Sequence, residues 1–182
     1  RIGTDSDWVS VTAGLHYTVA LKTDGTLYAW GENGYGELGD GTTTQWNEPV
    51  QIGTDSDWAF ISTHGYHTVA IKTDGTLYSW GLNDHGQLGD GTTEDKLVPT
   101  RIGTDTDWAS VSGGSYNTVA LKKDGTLYTW GYNNYGQLGD GTTDDELVPT
   151  RTGTDSDWAF VSADNGYGST FAIKTDGTLY AW

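Results

Sequence analysis

Residues Gly34 to Gly41 read GYGELGDG, and Gly34, Gly36 and Gly39 stand at the G-x-G-x-x-G spacing of dinucleotide-binding loops. That spacing cradles a pyrophosphate only between a strand and a helix, where bare backbone and a helix N-terminus face the anion. Here Gly41 is followed by TTTQWNEPV, whose β-branched threonines and proline argue for loop and strand. The stretch recurs as DHGQLGDG from Asp84 and NYGQLGDG from Asn134, both without the first glycine. The motif is therefore a by-product of a repeat and not a phosphate site. The acid pairs Asp5/Asp7, Asp55/Asp57, Asp105/Asp107 and Asp155/Asp157 could serve carboxylate or calcium chemistry. Calcium takes roughly six to eight oxygens, and a D-x-D pair supplies a minority of them. A polar turn whose side chains bond local backbone amides is expected instead. Of the four histidines, His16, His64, His67 and His85, none recurs in register: His67 aligns with Tyr17, Asn117 and Ser169. No Ser-His-Asp order accompanies a nucleophile elbow. There is no cysteine and no methionine, which excludes disulfides, thiol catalysis and cysteine-based zinc sites. No enzyme, cofactor or metal is expected.

The elements that carry these residues repeat. Trp8, Trp58, Trp108 and Trp158 are spaced fifty residues apart, each closing a TDSDW or TDTDW. A fixed period of this size marks one supersecondary unit copied in tandem. Within a unit, WVSVTAG, TVALK and TLYAWG read as short strands, and PVQIG or PTRIG as a fourth. Asp24-Gly25 and its counterparts Asp74-Gly75, Asp124-Gly125 and Asp176-Gly177 predict tight hairpins whose two central residues both take positive φ. Four strands per unit with no helical period predict an all-β propeller built from four-stranded blades. The single propeller segment 1–182 divides into blade units at about 1–53, 54–103, 104–153 and 154–182. The apolar positions Val19, Leu21 and Leu27 and their counterparts are expected between blades, with Trp30, Trp80, Trp130 and Trp182 in the core.

The combination of G-x-x-x-T-V-A-L, D-G-T-L-Y-x-W-G and N-x-x-G-Q-L-G-D-G-T resembles the tandem repeat of the regulator of chromosome condensation family over essentially the whole chain. The resemblance implies a ring of about seven such blades, in which the Gly-Gln-Leu-Gly segment is a structural loop. It also implies a choice of uses. Guanine-nucleotide exchange in the founding members relies on a loop insertion, for which the strict fifty-residue spacing from Trp8 to Trp158 leaves no place. Light sensing in a plant relative relies on G-W-R-H-T, where this chain reads GLHYT, GYHT, GSYNT and GYGST. Inhibition of a secreted β-lactamase by a bacterial relative uses aromatic loops on one propeller face. Arg1 to Gly3 match Arg101 to Gly103, and the fourth unit stops at Trp182 before its Gly-x-Asn loop. A four-unit piece of a longer array, a half-ring pairing with a second copy and a small ring all fit, and the first is expected. The last blade would then be completed by an N-terminal or partner strand.

The formal net charge is −16, from nine basic and 25 acidic residues, which argues against nucleic acid and anionic membranes as partners. No apolar run approaches the roughly 20 residues that span a bilayer. The lack of both cysteine and methionine fits a protein that is extracellular or on the cell surface, and a microbial source is expected. The copies differ chiefly in their loops, which in stacked repeats form binding faces. Tyr17, Tyr66, Tyr116 and Tyr167 in one loop, Tyr35, His85 and Tyr135 in another, and Trp46 beyond it are the candidate ligand-binding residues, as aromatic side chains give contact area at low entropic cost. The expected function is a non-catalytic scaffold binding a protein or glycan. A self-assembling structural protein forming rings or fibres and a guanine-nucleotide exchange factor are the alternatives.

Overall fold

A computed structural model describes residues 3–163 and 169–182. Every regular element among them is a β-strand. The first sheet runs β1 (Trp8–Ala13), β2 (Tyr17–Lys22), β3 (Leu27–Gly31), β4 (Trp46–Gln51), all antiparallel and in chain order. The second is β5 (Trp58–Thr63), β6 (His67–Lys72), β7 (Leu77–Gly81), β8 (Lys96–Arg101), and the third β9 (Trp108–Gly113), β10 (Asn117–Lys122), β11 (Leu127–Gly131), β12 (Glu146–Arg151). The fourth sheet has three strands, β13 (Trp158–Ala163), β14 (Thr170–Lys174) and β15 (Leu179–Ala181). These are the stacked meanders of a propeller, as the repeat implies.

The innermost strands are the tryptophan-initiated ones: β1 faces β5, β5 faces β9 and β9 faces β13, while β4, β8 and β12 lie at the rim. One hydroxyl per blade ties this inner wall together. The amides of Thr63, Gly113 and Ala163 donate to Thr12 Oγ1, Ser62 Oγ and Ser112 Oγ of the preceding blade, at 3.2, 3.2 and 3.1 Å.

The core lies between the blades. Val19, Leu21, Leu27 and Ile52 of the first pack against Trp58, Ile61, Ala70 and Trp80 of the second. The next junction places Val69, Ile71, Leu77 and Ile102 against Trp108, Val111, Ala120 and Trp130, and the third repeats the pattern with Val161 and Ala172. Of the recurrent tryptophans expected in the core, Trp80 and Trp130, which have a blade on either side, are fully buried, whereas Trp30 and Trp182, in the first and last blades, are half-buried. Trp130 inserts its indole under the Gly-Gln-Leu-Gly loop of the blade before, donating from Nε1 to the Gln87 carbonyl at 2.9 Å. Gly89 in that loop has φ +78°, and a Cβ there would sit 2.7 Å from Trp130 Nε1. These glycines make room for an indole and not for a phosphate.

Two local expectations need correction. The Asp-Gly hairpins are three-residue loops, not two-residue turns. Gly25 N donates to Lys22 O, and Lys22 N to Thr26 O, both at 3.0 Å, and only Gly25 has positive φ. Asp24 stays in the ordinary region and accepts from Thr26 N and Oγ1 at 3.0 and 2.6 Å, so the loop is a right-handed turn closed by a left-handed glycine. The D-x-D pairs, in turn, hold a lysine and not local amides. Lys22 Nζ lies 2.7 Å from Asp5 Oδ2 and 3.3 Å from Asp7 Oδ1, and 5.0 and 4.9 Å from the Trp8 and Tyr28 ring centres. Lys72, Lys122 and Lys174 repeat the arrangement. The ammonium occupies the space between the carboxylates that a cation would need, and its hydrogen bond to Asp5 holds Lys22 above the usual ammonium range against the opposing effect of desolvation.

Gly89 and Gly103 separate backbone strain from packing. Both have positive φ, but nothing lies within 4 Å of a Cβ at Gly103. Gly103→Ala is expected to cost about 1 kcal/mol, the left-handed penalty alone. Gly89→Ala adds a clash with Trp130 and is expected to cost about 3 kcal/mol or more in urea unfolding.

Candidate functional site

Ala13 pairs with Thr18, Tyr17 with Gly31, and Gly31 with Trp46, so the β1–β2 and β3–β4 connections emerge at the same end of the blade. The same holds for blades two and three, so the variable segments of the sequence share one face. The long connection is rigid because an asparagine organises it. Asn33 Nδ2 donates to Asp40 Oδ1, Thr42 O and Thr44 O, while its Oδ1 accepts from Leu38 N at 3.0 Å. Asn83 does the same in its loop, and Asn133 does so with Thr142 Oγ1 in place of the threonine carbonyl. The residues between these fixed points are held out as display positions.

Tyr35 of the first blade packs edge-on against Tyr66 of the second, with centroids 5.3 Å apart. His85 of the second blade meets Tyr116 and Tyr132 of the third at 5.6 and 4.5 Å, and Tyr135 continues the line 6.1 Å from Tyr132. His85 Nδ1 lies 2.9 Å from Asp145 Oδ2 across the same junction. The result is an aromatic ridge over two blade boundaries that remains open to solvent. Tyr35 is 42% exposed, Tyr116 39% and Tyr135 70%.

The ridge lies in a strongly acidic surround. The connections 32–45, 82–95 and 132–145 contain three, four and three carboxylates and no Lys or Arg. The four lysines of the D-x-D cages lie at the opposite end of the blades, beside the hairpin turns. One acid is unlike its counterparts. Glu37 is buried where the other loops have Gln87 and Gln137, and desolvation raises its pKa despite the hydrogen bond from Tyr35 N.

Of the residues expected to bind ligand, Tyr66, Tyr116, Tyr35, His85 and Tyr135 come together in the ridge. Tyr17 does not. It is 3% exposed, and its hydroxyl donates to His67 O at 2.6 Å inside the blade junction. The reason is register: Tyr17 is the counterpart of His67 and Asn117, which open the second strand, whereas Tyr66 and Tyr116 stand one residue earlier, opposite His16. Trp46 lies apart from the ridge at the rim, 41% exposed, with Nε1 donating to Asp40 Oδ2 at 2.7 Å. Tyr167 lies outside the described residues. Tyr132 and Asp145 join the ridge without having been singled out in sequence. Both fall in the variable connections, and their role appears only when neighbouring blades are superposed in register.

The comparisons with known proteins agree with this architecture. The model of the regulator of chromosome condensation (RCC1) repeat matches residues 24–71, 74–121 and 124–173, and a second model of the same repeat matches 8–37 and 108–137. The chain belongs to the RCC1 repeat family, and its fold is an RCC1-type β-propeller. Human WBSCR16 superposes with a TM-score of 0.86 at 22% identity, over 98% of this chain and 48% of that one. Prp20p from Saccharomyces cerevisiae, described with its binding to Gsp1p and histones, superposes at 0.81 and 24% identity, over 92% and 44%. The Drosophila melanogaster E3 ubiquitin-protein ligase highwire is 38% identical over 52 residues, 29% of this chain and 1% of that protein. The chain thus spans about half the length of these two solved propellers.

His67, behind the ridge, tests the junction. Burial depresses its pKa from 6.5 to about 4, while Nε2 is 3.0 Å from Thr118 Oγ1. A depressed folded pKa means that the stability present above pH 6.5 is lost as the pH falls toward 4, on the order of 3 kcal/mol in all. Asn117 fills the equivalent place in the next blade, so His67→Asn is expected to fold and to flatten this part of the stability profile, read by urea unfolding between pH 7 and 4.

Proposed function

We propose that the chain is a non-catalytic protein-binding scaffold whose ligand docks on the loop face, across the ridge from Tyr35 and Tyr66 to Tyr116 and Tyr135. The observation that carries this reading is the ridge itself. Partly exposed aromatic side chains of successive blades meet across two neighbouring blade junctions on loops stiffened from beneath, which supplies contact area without a large cost of ordering. The surrounding carboxylates favour a protein segment rich in Lys and Arg, drawn in by the field and held by cation–π contact. A glycan is the other ligand class that such a surface accommodates. The absence of cysteine and methionine supports an extracellular or cell-surface setting.

A second reading, a guanine-nucleotide exchange factor, is favoured by the likeness to Prp20p, described with Gsp1p. It rests on fold alone.

A panel of basic, acidic and neutral peptides, a glycan array and a nucleotide-release assay on small GTPases separate these readings. The expected result is binding of basic peptides that weakens with salt, lowered about tenfold or more by Tyr66→Ala or Tyr116→Ala and unchanged by Trp46→Ala. Binding confined to glycans, or accelerated nucleotide release without peptide binding, would replace the proposal.

A further inference from the structure

Two neighbouring junctions of the ridge are built from the same parts but differ in charge. Between the second and third blades, Asp145 has an internal partner: its Oδ2 lies 2.9 Å from His85 Nδ1, and the imidazole packs against Tyr116 and Tyr132. Between the first and second blades, Asp95 is the counterpart of Asp145. Its Oδ1 accepts from Asn83 N at 2.8 Å, as Asp145 Oδ1 does from Asn133 N. Tyr35 stands where the next loop has His85, so the first blade offers Asp95 no imidazole. The adjacent Lys96 directs its ammonium to Asp90 Oδ2 at 3.1 Å and Glu94 Oε2 at 3.8 Å.

A second carboxylate is uncompensated at the first junction. Glu37 is 0% exposed and its Oε2 accepts from Tyr35 N at 2.8 Å, but among the described residues its Oε1 has no hydrogen-bond partner. At the same point Gln87 and Gln137 leave a side-chain nitrogen without a partner, so two loops place a donor where this one places an anionic acceptor. Desolvation raises the Glu37 carboxyl above its usual range, and the charges of Glu32 and Asp95 add to that against the backbone hydrogen bonds. Tyr66 is raised in turn by desolvation, by Glu32, by the neighbouring tyrosines and by Glu37. The acids therefore surround the Tyr35–Tyr66 pair closely enough for their fields to act on it.

We propose that the Tyr35–Tyr66 step of the ridge is a cation subsite, which seats the ammonium or guanidinium group of a Lys or Arg side chain of the ligand, and that Glu37 is the residue that sets its charge preference. This rests on the reading of the ridge as the ligand-binding face and assigns its two junctions different tasks. A charge held out of water is screened less by salt and acts over a longer distance than an exposed one, so Glu37 favours a cation at the tyrosine rings without having to touch it. The rings supply the rest of the attraction, which holds for a cation within about 6 Å of a ring centre. The chain uses the same combination internally, where Lys22 Nζ stands 2.7 Å from Asp5 Oδ2 and 4.9 Å from the Tyr28 ring centre. At the second junction His85 already occupies the equivalent place beside Asp145, and Gln87 carries no charge, so an incoming cation is favoured less there.

The test uses butylammonium and methylguanidinium as probes and butanol as the uncharged control, followed through the ring-proton NMR signals of Tyr35 and Tyr66. Both cations are expected to shift these signals saturably, and the alcohol is not. Glu37→Gln is expected to keep the parental circular dichroism spectrum, because Gln87 and Gln137 fill the same place in the other loops, and to weaken cation binding about tenfold or more. Glu94→Gln removes the same formal charge from an exposed side chain and is expected to change the affinity less than about twofold. Tyr35→His offers Asp95 the imidazole that His85 gives Asp145 and is expected to weaken the cations as well. Equal shifts with butanol, or a Glu37→Gln chain that binds the cations as tightly as the parent, would overturn the proposal and leave the peptide reading to its own assay. Cation binding at Tyr35 and Tyr66 in a chain that binds no peptide would uphold the subsite and overturn that reading instead.

Discussion

A blade of this protein has two apolar faces and no third layer to cover them, and that constraint governs the rest of the structure. A four-stranded meander of about this length cannot hold a core within itself. Its Val, Leu and Ile side chains on one face and its Trp, Ile and Ala side chains on the other must meet those of neighbouring blades. The period of fifty residues is the consequence: each unit has to present the same two surfaces in the same places, or the next unit does not seat. Where a neighbour is present the fit is close enough to bury Trp80 and Trp130 completely.

From the same constraint follow the glycines and the small polar residues. Gly39 and Gly89 exist because an indole from the following blade fills the space a side chain would take. At Gly25, Gly75 and Gly125 the backbone of the next blade passes against the hairpin and leaves no room for a Cβ. Thr12, Ser62 and Ser112 sit where inner strands of adjacent blades approach, and each hydroxyl satisfies an amide that β-pairing within its own sheet leaves free. The lysine cages do related work at the other end. Each gathers two carboxylates, a tryptophan and a tyrosine around one ammonium, which fixes the turn entering a blade to the second strand of that blade.

Much of this was legible in the sequence because repetition makes the chain its own alignment. The tryptophan spacing gave the blade, alternation gave the strands, and the disagreement between copies marked the loop face and most of its aromatic residues. What escaped was pairwise in nature. The D-x-D signal and Lys22 are about seventeen residues apart, joined only once the second strand folds back, so the acids looked like a turn and their partner like an ordinary surface lysine. The Asp-Gly pair announced a hairpin correctly but not its type, since Gly25 alone can supply the positive φ while Asp24 is better placed capping Thr26. Tyr17 was misread for want of one residue of register: a tyrosine that opens a strand points into the junction, and its neighbour one position earlier points outward.

The division of labour that results explains where specificity can reside. Nearly every residue shared by all the copies is consumed in making a junction, a turn or a cage, and altering it disturbs the stack. Binding is left to positions that the stack does not constrain, and these are the ones where the copies disagree: Tyr35 against His85 and Tyr135, Glu32 against Leu82 and Tyr132. Because the asparagine-centred connections are stiff, changing these side chains alters the chemistry of the face without altering its shape. A ridge assembled from adjacent blades has a further property. Its contacts, such as Tyr35 with Tyr66 and His85 with Tyr116, exist only when blades are docked, so the binding surface and the blade junctions form or fail together.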